Sequence, residues 1–306
     1  MIKTERKGEW LFISVPSKWN GKSIEDIFGE VLFASKKQIH LFKMEKKVML
    51  NTNYPNWKTT VQENDLLKIK LFTNDTPAIP PTYMDLSILY EDDYLLVVNK
   101  PAYMDTHPNT PDDTCSLLNG VVFYVLMNGE ERQIKHIHRL DKDTSGCILF
   151  AKHELIGTML DQMLRERKIK RTYMAIAHGS FSNKSGTINT PIGRDRHHGT
   201  RRRVSVNGQK AITHYKVLNY FKKEHLSLIT CTLDTGRTHQ IRVHLSSISH
   251  PLAGDVLYGG KTIYPRQALH AVKIQFKHPI TEENIECYAP FLDEPPIFPS
   301  IDIYSI

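Results

Sequence analysis

Apolar residues along the chain gather into two kinds of run. Leu155, Ile156, Met159, Leu160 and Met163 recur at the three- and four-residue steps of one helix face and predict a helix over 154–166. Residues 116–127 carry a second helical pattern. By contrast, 86–90, 95–99, 173–177, 210–217, 226–233 and 271–276 stay apolar only for the length of a strand, and Glu91-Asp92-Asp93 supplies the turn between the first two. Nearer the start, Ser23 stands as an N-cap before a short helix over 23–32 and a second short helix over 35–43 starts with Ser35, while 48–51 and 61–71 read as strands. Strands outnumber helices and do not alternate with them regularly. The class predicted is therefore α+β, with a large, mainly antiparallel mixed sheet flanked by helices.

Three prolines between residues 73 and 82 interrupt the periodic pattern and predict an extended linker over 73–85. It separates a small α/β unit, 1–72, from a large one, 86–306. A chain of 306 residues that is 40% hydrophobic can bury a core in each. The charged start and the absence of any run of 18 apolar residues predict neither a leader nor a membrane span. The four cysteines form no Cys-x-x-Cys pair, and Cys147 and Cys231 lie in apolar runs, so a reducing, cytoplasmic setting and core roles are expected. A monomer is expected.

The net charge of +7 suggests a polyanionic partner, and its distribution sharpens that expectation. Arg194, Arg196, Arg201, Arg202 and Arg203, offset only by Asp195, form a basic patch within ten residues. The densest chemistry lies elsewhere, in His138-Arg139-Leu140-Asp141-Lys142-Asp143-Thr144-Ser145-Gly146. The apolar run that follows should hold Asp141 on a loop feeding a buried strand, a rigid setting for an acid. If Gln240 to Leu245 is helical, Ile241 and Leu245 face the core and Arg242 projects beside them, where it needs a carboxylate. Asp141 is the obvious complement, and the pairing would favour its ionised form. Taken alone, that pair fits a structural ion bridge slightly better than chemistry.

Further motifs change that balance. Tyr90 to Pro101, the Asp141 run, Lys170-Arg171-Thr172-Tyr173, Pro191 to Asp195, Gly236 to Arg242 and His250 to Gly259 occur in the order and spacing of the RluA-type RNA pseudouridine synthases, which this chain resembles over about residues 86 to 290. The departures are Cys147 for a commoner leucine, and Tyr103 and Met104 where glycine is frequent. The resemblance implies an isomerase that turns uridine in structured RNA into pseudouridine, with no cofactor and no metal. Asp141 would be its catalytic aspartate, Tyr173 the ring stacked on the base and Arg242 the partner of Asp141. Ribosomal RNA is the expected substrate, with transfer RNA as the alternative. Since the target base must leave its stack, Arg139 would fill the gap or hold a phosphate. The arginines of the basic patch, His138, Arg237 and His239 would contact RNA. Residues 1–72 resemble the alpha-L RNA-binding motif in their frame of Ile39, Val48, Asn51, Val61, Asp65 and Ile69. Lys36 and Lys37 replace its usual arginine as phosphate contacts. Two other functions compete: a metal-dependent hydrolase built on His136, His138, Asp141 and His239, and a non-catalytic RNA-binding protein that keeps the fold.

Overall fold

The computed structural model describes residues 2–299 and 301–306. Residues 4–70 contain a four-stranded antiparallel sheet in the order Thr4–Lys7, Trp10–Ser14, Leu66–Lys70, Val48–Leu50. Alternate residues of its central strands, Leu11, Ile13, Leu67 and Ile69, are buried beneath Ile24, Ile27 and Phe28. Both helices start on a serine cap: Ser23, as expected, accepts from Asp26 N–H and Ser35 from Gln38 N–H, each within a capping box. The first helix is shorter than expected, with Ile24–Asp26 passing into a wider π-type turn, Ile27–Val31. The second runs Lys36–Met44. The frame residues Asn51 and Asp65 bond each other at 3.0 Å, and Asn51 also accepts from Leu66 N–H at 2.8 Å, joining the turn to the last strand.

The large unit is built on ten strands. In spatial order eight of them run Ser185–Asn189, Ile212–Phe221, Leu226–Leu233, Lys170–His178, Leu269–Lys277, Ser145–Ala151, Leu95–Lys100, Ser87–Glu91; Asn284–Tyr288 and Lys135–His136 add to the fifth and sixth. Every pairing is antiparallel except that of Leu269–Lys277 with Ser145–Ala151. At that parallel junction Gly146 has φ +114, and a Cβ there would lie 2.3 Å from the Ala271 carbonyl oxygen, so only glycine lets the two backbones meet.

The central strands carry apolar residues on both of their faces because both faces are covered. Leu95, Val97, Cys147 and Leu149 pack with the small unit and with Leu155, Met159 and Leu160 of the helix Glu154–Arg165. Leu96, Val98, Ile148 and Phe150 point the other way, into a core shared with Val121 and Val125 of the helix Leu117–Met127 and with Leu140, Tyr173 and Ile241. The small unit is therefore part of one continuous core on the sheet face opposite those site residues. Residues 73–85 are irregular, as expected, yet do not run free: Thr73 and Pro80 carbonyls accept from Arg132 and Asn119 at 2.7 and 2.8 Å.

Several strands were not legible in the pattern: Thr4–Lys7, Trp10–Ser14, Ser185–Asn189, Ile192–Arg194, Arg202–Val204 and Asn284–Tyr288. Most are short and half exposed, and the basic patch begins and ends in a two-stranded ribbon of Ile192–Arg194 and Arg202–Val204. The expected strand over 61–71 contracts to Leu66–Lys70. The expected helix at 240–245 exists as Gln240–Ser247, and Gln240 through Leu245 are all buried, Arg242 among them.

Candidate active site

Asp141 sits in the turn immediately before Ser145–Ala151, with its side chain 20% exposed. Three neighbours strap that turn. Thr106 Oγ1 both accepts from Leu140 N–H and donates to Leu140 O, each at 3.1 Å. Lys100 Nζ donates to the carbonyls of Lys142 (3.0 Å), Met104 (2.6 Å) and Pro101 (2.9 Å), and Arg266 donates to Asp143 O at 3.0 Å while holding Asp293 bidentately. Burial pulls the Lys100 ammonium down to about 7 against the pull of Asp105, Asp141 and Asp143, yet all three of its N–H donors have carbonyl acceptors. The carbonyls around Asp141 are thus fixed from several sides, which leaves its carboxylate little room to wander.

Arg242 meets that carboxylate at 3.1 Å, as expected. A second acid was not expected. Asp255, 2% exposed, takes Arg242 Nε at 2.7 Å and Nη2 at 2.9 Å in a bidentate pair, which orients the guanidinium so that Nη1 is left for Asp141. Burial opposes the Arg242 charge, but hydrogen bonds and charge from Asp255 and then Asp141 hold its pKa above the usual value. The need of a buried arginine for more than one acceptor was the available signal, and Asp255 lay within a recognised motif.

His239 lies 3.9 Å from Asp141 through Nε2 and 2.8 Å from the Tyr258 hydroxyl through Nδ1. Burial lowers its pKa, partly offset by Asp141. Arg202 N–H also donates to the Tyr258 oxygen, at 2.9 Å, so the phenol ties the ribbon backbone to the His239 ring. Tyr258 also lies beneath Arg242 at 5.0 Å and Arg201 at 5.7 Å, so it joins the basic ribbon to the acid. Sequence reasoning missed this role. Tyr173, 4% exposed, lines the same pocket as Asp141, Arg237, His239 and Arg242, and burial raises its hydroxyl pKa. The pocket encloses about 50 Å³.

The other expected contacts divide. Arg194, Arg196, Arg201 and Arg203 are exposed and Arg202 is half-buried. Arg139 and Arg237 are exposed too and line a cavity of about 580 Å³ next to the Asp141 pocket, with Arg237 shared by both. Lys36 and Lys37 are exposed at the start of their helix in the small unit. His138 is a correction. It is 7% exposed, its Nε2 accepts from Leu149 N–H at 3.3 Å, and burial holds its pKa well below the usual value. A neutral ring engaged with the sheet is a packing group, not an RNA contact. His136, His138, Asp141 and His239 do not converge either: among the described residues no group of three or more metal-binding side chains is found, and His136 stacks on His107. Nor is any helix of the described residues long and apolar enough to cross a membrane.

Residues 94–247 match the family model for RNA pseudouridylate synthase, and residues 11–67 match that for the RluD ribosomal pseudouridine synthase N-terminal domain. The uncharacterized RNA pseudouridine synthase YhcT of Bacillus subtilis is 47% identical over 287 residues, covering 94% of this chain and 95% of that one. Ribosomal large subunit pseudouridine synthase D of Vibrio vulnificus is 37% identical, covering 90% and 89%. Among solved structures, human RNA pseudouridylate synthase domain containing 1 superposes with a TM-score of 0.57 at 26% identity, over 69% of this chain and 86% of that chain.

Proposed function

The chain belongs to the RNA pseudouridylate synthase family, isomerases that act on uridine in RNA, and we propose that Asp141 carries out the isomerisation here, on ribosomal RNA. The observation that carries this reading is the Asp141 carboxylate at 3.1 Å from an arginine that Asp255 holds in place, in a pocket walled by Tyr173. In the reaction the bond from ribose C1′ to N1 breaks, the uracil turns, C5 joins C1′, and the C5 proton leaves as N1 regains one. Substrate and product are isomers, so the balance needs no cofactor. Asp141 serves either by attacking C1′ or by taking the C2′ proton. Both routes require a carboxylate beside the sugar, and the Arg242 guanidinium holds that of Asp141 in place.

Tyr173 offers a flat face to the uracil. The free space of about 50 Å³ is room for one or two water molecules, so a flipped base must displace side chains on entry. Arg237, exposed at the rim, is the one able to yield, whereas Asp141 is strapped. Ribosomal RNA is favoured over transfer RNA because relatives of nearly full coverage are named for the ribosomal large subunit. We place the protein in the cytoplasm as a monomer, with Lys36, Lys37 and the basic ribbon holding RNA backbone.

Asp141→Asn tests the reading. It should keep RNA affinity within about twofold and abolish pseudouridine formation on ribosomal RNA taken from cells lacking the gene. Equal modification by both proteins would overturn the role of Asp141, and modification confined to transfer RNA would overturn the substrate.

A further inference from the structure

Four arginines among the described residues are buried: Arg132, Arg171, Arg242 and Arg266. Arg132 has Glu130 at 3.5 Å, Arg242 has Asp255 and Asp141, and Arg266 has Asp293. Arg171, 8% exposed, has no carboxylate within 4.0 Å among the described residues, and its buried Nε has no hydrogen-bond partner. A polar neighbour is the hydroxyl of Tyr173, two residues along the strand, which cannot balance a full charge. Leaving a guanidinium buried and unpaired is costly unless an anion arrives.

The surroundings are shaped for one. Arg171 lines the cavity of about 580 Å³ beside the Asp141 pocket, whose wall also carries Arg139, Arg165, Lys210 and Arg237. Asp234 is the lone acid in that wall, and it is already engaged by Arg167 at 3.1 Å and His214 at 3.3 Å. The Arg171 guanidinium lies against Gly236, where a Cβ would stand 3.1 Å from Nη1, so the glycine makes room for it. His136 and His138 share the wall and supply no anion.

We propose that Arg171 is the buried anchor of a phosphate subsite, taking an RNA backbone phosphate next to the uridine held at Asp141, with Arg139, Lys210 and Arg237 around the mouth. This rests on the RNA-isomerase reading and adds to it a site distinct from the exposed ribbon. Burial strengthens the contact, and the guanidinium fork suits a phosphate bidentately.

Full-length Arg171→Gln and Arg171→Lys test it, read by RNA affinity across salt concentrations, by kcat and KM, and by thermal midpoint. For Arg171→Gln the plot of log affinity against log salt should become shallower by about one, with KM raised about tenfold and kcat within about twofold. Arg171→Lys should restore the slope but not all of the KM. The thermal midpoint of Arg171→Gln should equal or exceed that of the parent, since an unpaired buried charge has gone; a purely structural arginine would lower it, and that result overturns the proposal. A fall in kcat with an unchanged slope overturns it too, making Arg171 a positioning residue for Tyr173. Stabilisation of the parent by inorganic phosphate, with no change in RNA slope, would assign the site to the free ion. If the parent forms no pseudouridine while the slopes still differ, the subsite stands and the reaction assignment fails.

Discussion

Arg242 and Arg171 are buried to nearly the same degree, 7% and 8% exposed, and both adjoin Tyr173, but their electrostatic surroundings are opposite. Arg242 lies between two carboxylates, so its cluster with Asp255 and Asp141 carries a net negative charge. Arg171 has none. Under the proposed function, the first arrangement would concentrate an anion where ribose C1′ gains positive character as its bond to nitrogen lengthens, which is where preorganised charge accelerates a reaction. The second would leave a cation beside the path proposed for the RNA backbone. The comparison teaches that burial alone says little about an arginine: the count of acids around it separates one that shapes a reacting centre from one that awaits a ligand.

The sharpest way to break the contrast is Arg242→Ala. Asp255 would stay buried without a partner, so unfolding by denaturant should show a loss of roughly 3–5 kcal/mol, and turnover should fall by orders of magnitude while RNA affinity changes little. Arg242→Ala combined with Asp255→Asn should regain part of the stability and none of the turnover. A double variant no more stable than the single one would show that the two side chains are not coupled through burial.

A second prediction concerns cations that can escape unpaired burial, as Arg171 cannot. Burial brings His136 and His270 down to about 4 and His153 to about 3. Each folded-state value lies below the unfolded value near 6.5. As pH falls below 6.5 the unfolded chain therefore takes up protons first, and stability is lost down to the folded-state values. The loss should be roughly 1 kcal/mol per histidine per pH unit, so urea midpoints should be flat above pH 7 and drop steeply between 6.5 and 4. A midpoint that holds to pH 5 would mean that these rings are not buried as neutral groups.

The two arginines were unequally legible in the chain. Arg242 could be anticipated because Ile241 and Leu245 set a helical period around it, and Asp141 stood in a run that had to end on a buried strand. Asp255 was missed, because it meets Arg242 through a turn that no periodicity describes and only the arginine's need of a second acceptor pointed to it. Arg171 sat in a recognised motif, but its significance depends on what is absent around it, and absence of a partner is a three-dimensional fact. The central strands were plain from their apolar runs, whereas Trp10–Ser14 and Ile192–Arg194 were hidden because short, half-exposed strands show too few alternations. His138, expected beside Arg139 as an RNA contact, is turned by the backbone into the sheet.

The smallest expected effect separates the buried cation from the exposed ones. In the basic ribbon Arg194 lies directly across from Arg202, and like charges in opposed strand positions repel. The ribbon therefore keeps both charges at some cost to its own folding, a cost that RNA phosphates would relieve. Arg194→Ser should leave the thermal midpoint unchanged or slightly raised, make the salt dependence of RNA affinity shallower by about one, and leave kcat untouched. Its affinity loss should be smaller than that of Arg171→Gln, because water and salt screen an exposed contact more than a buried one. Equal losses from the two variants, or a loss of kcat from Arg194→Ser, would erase the distinction between a buried phosphate anchor and a surface that only gathers RNA.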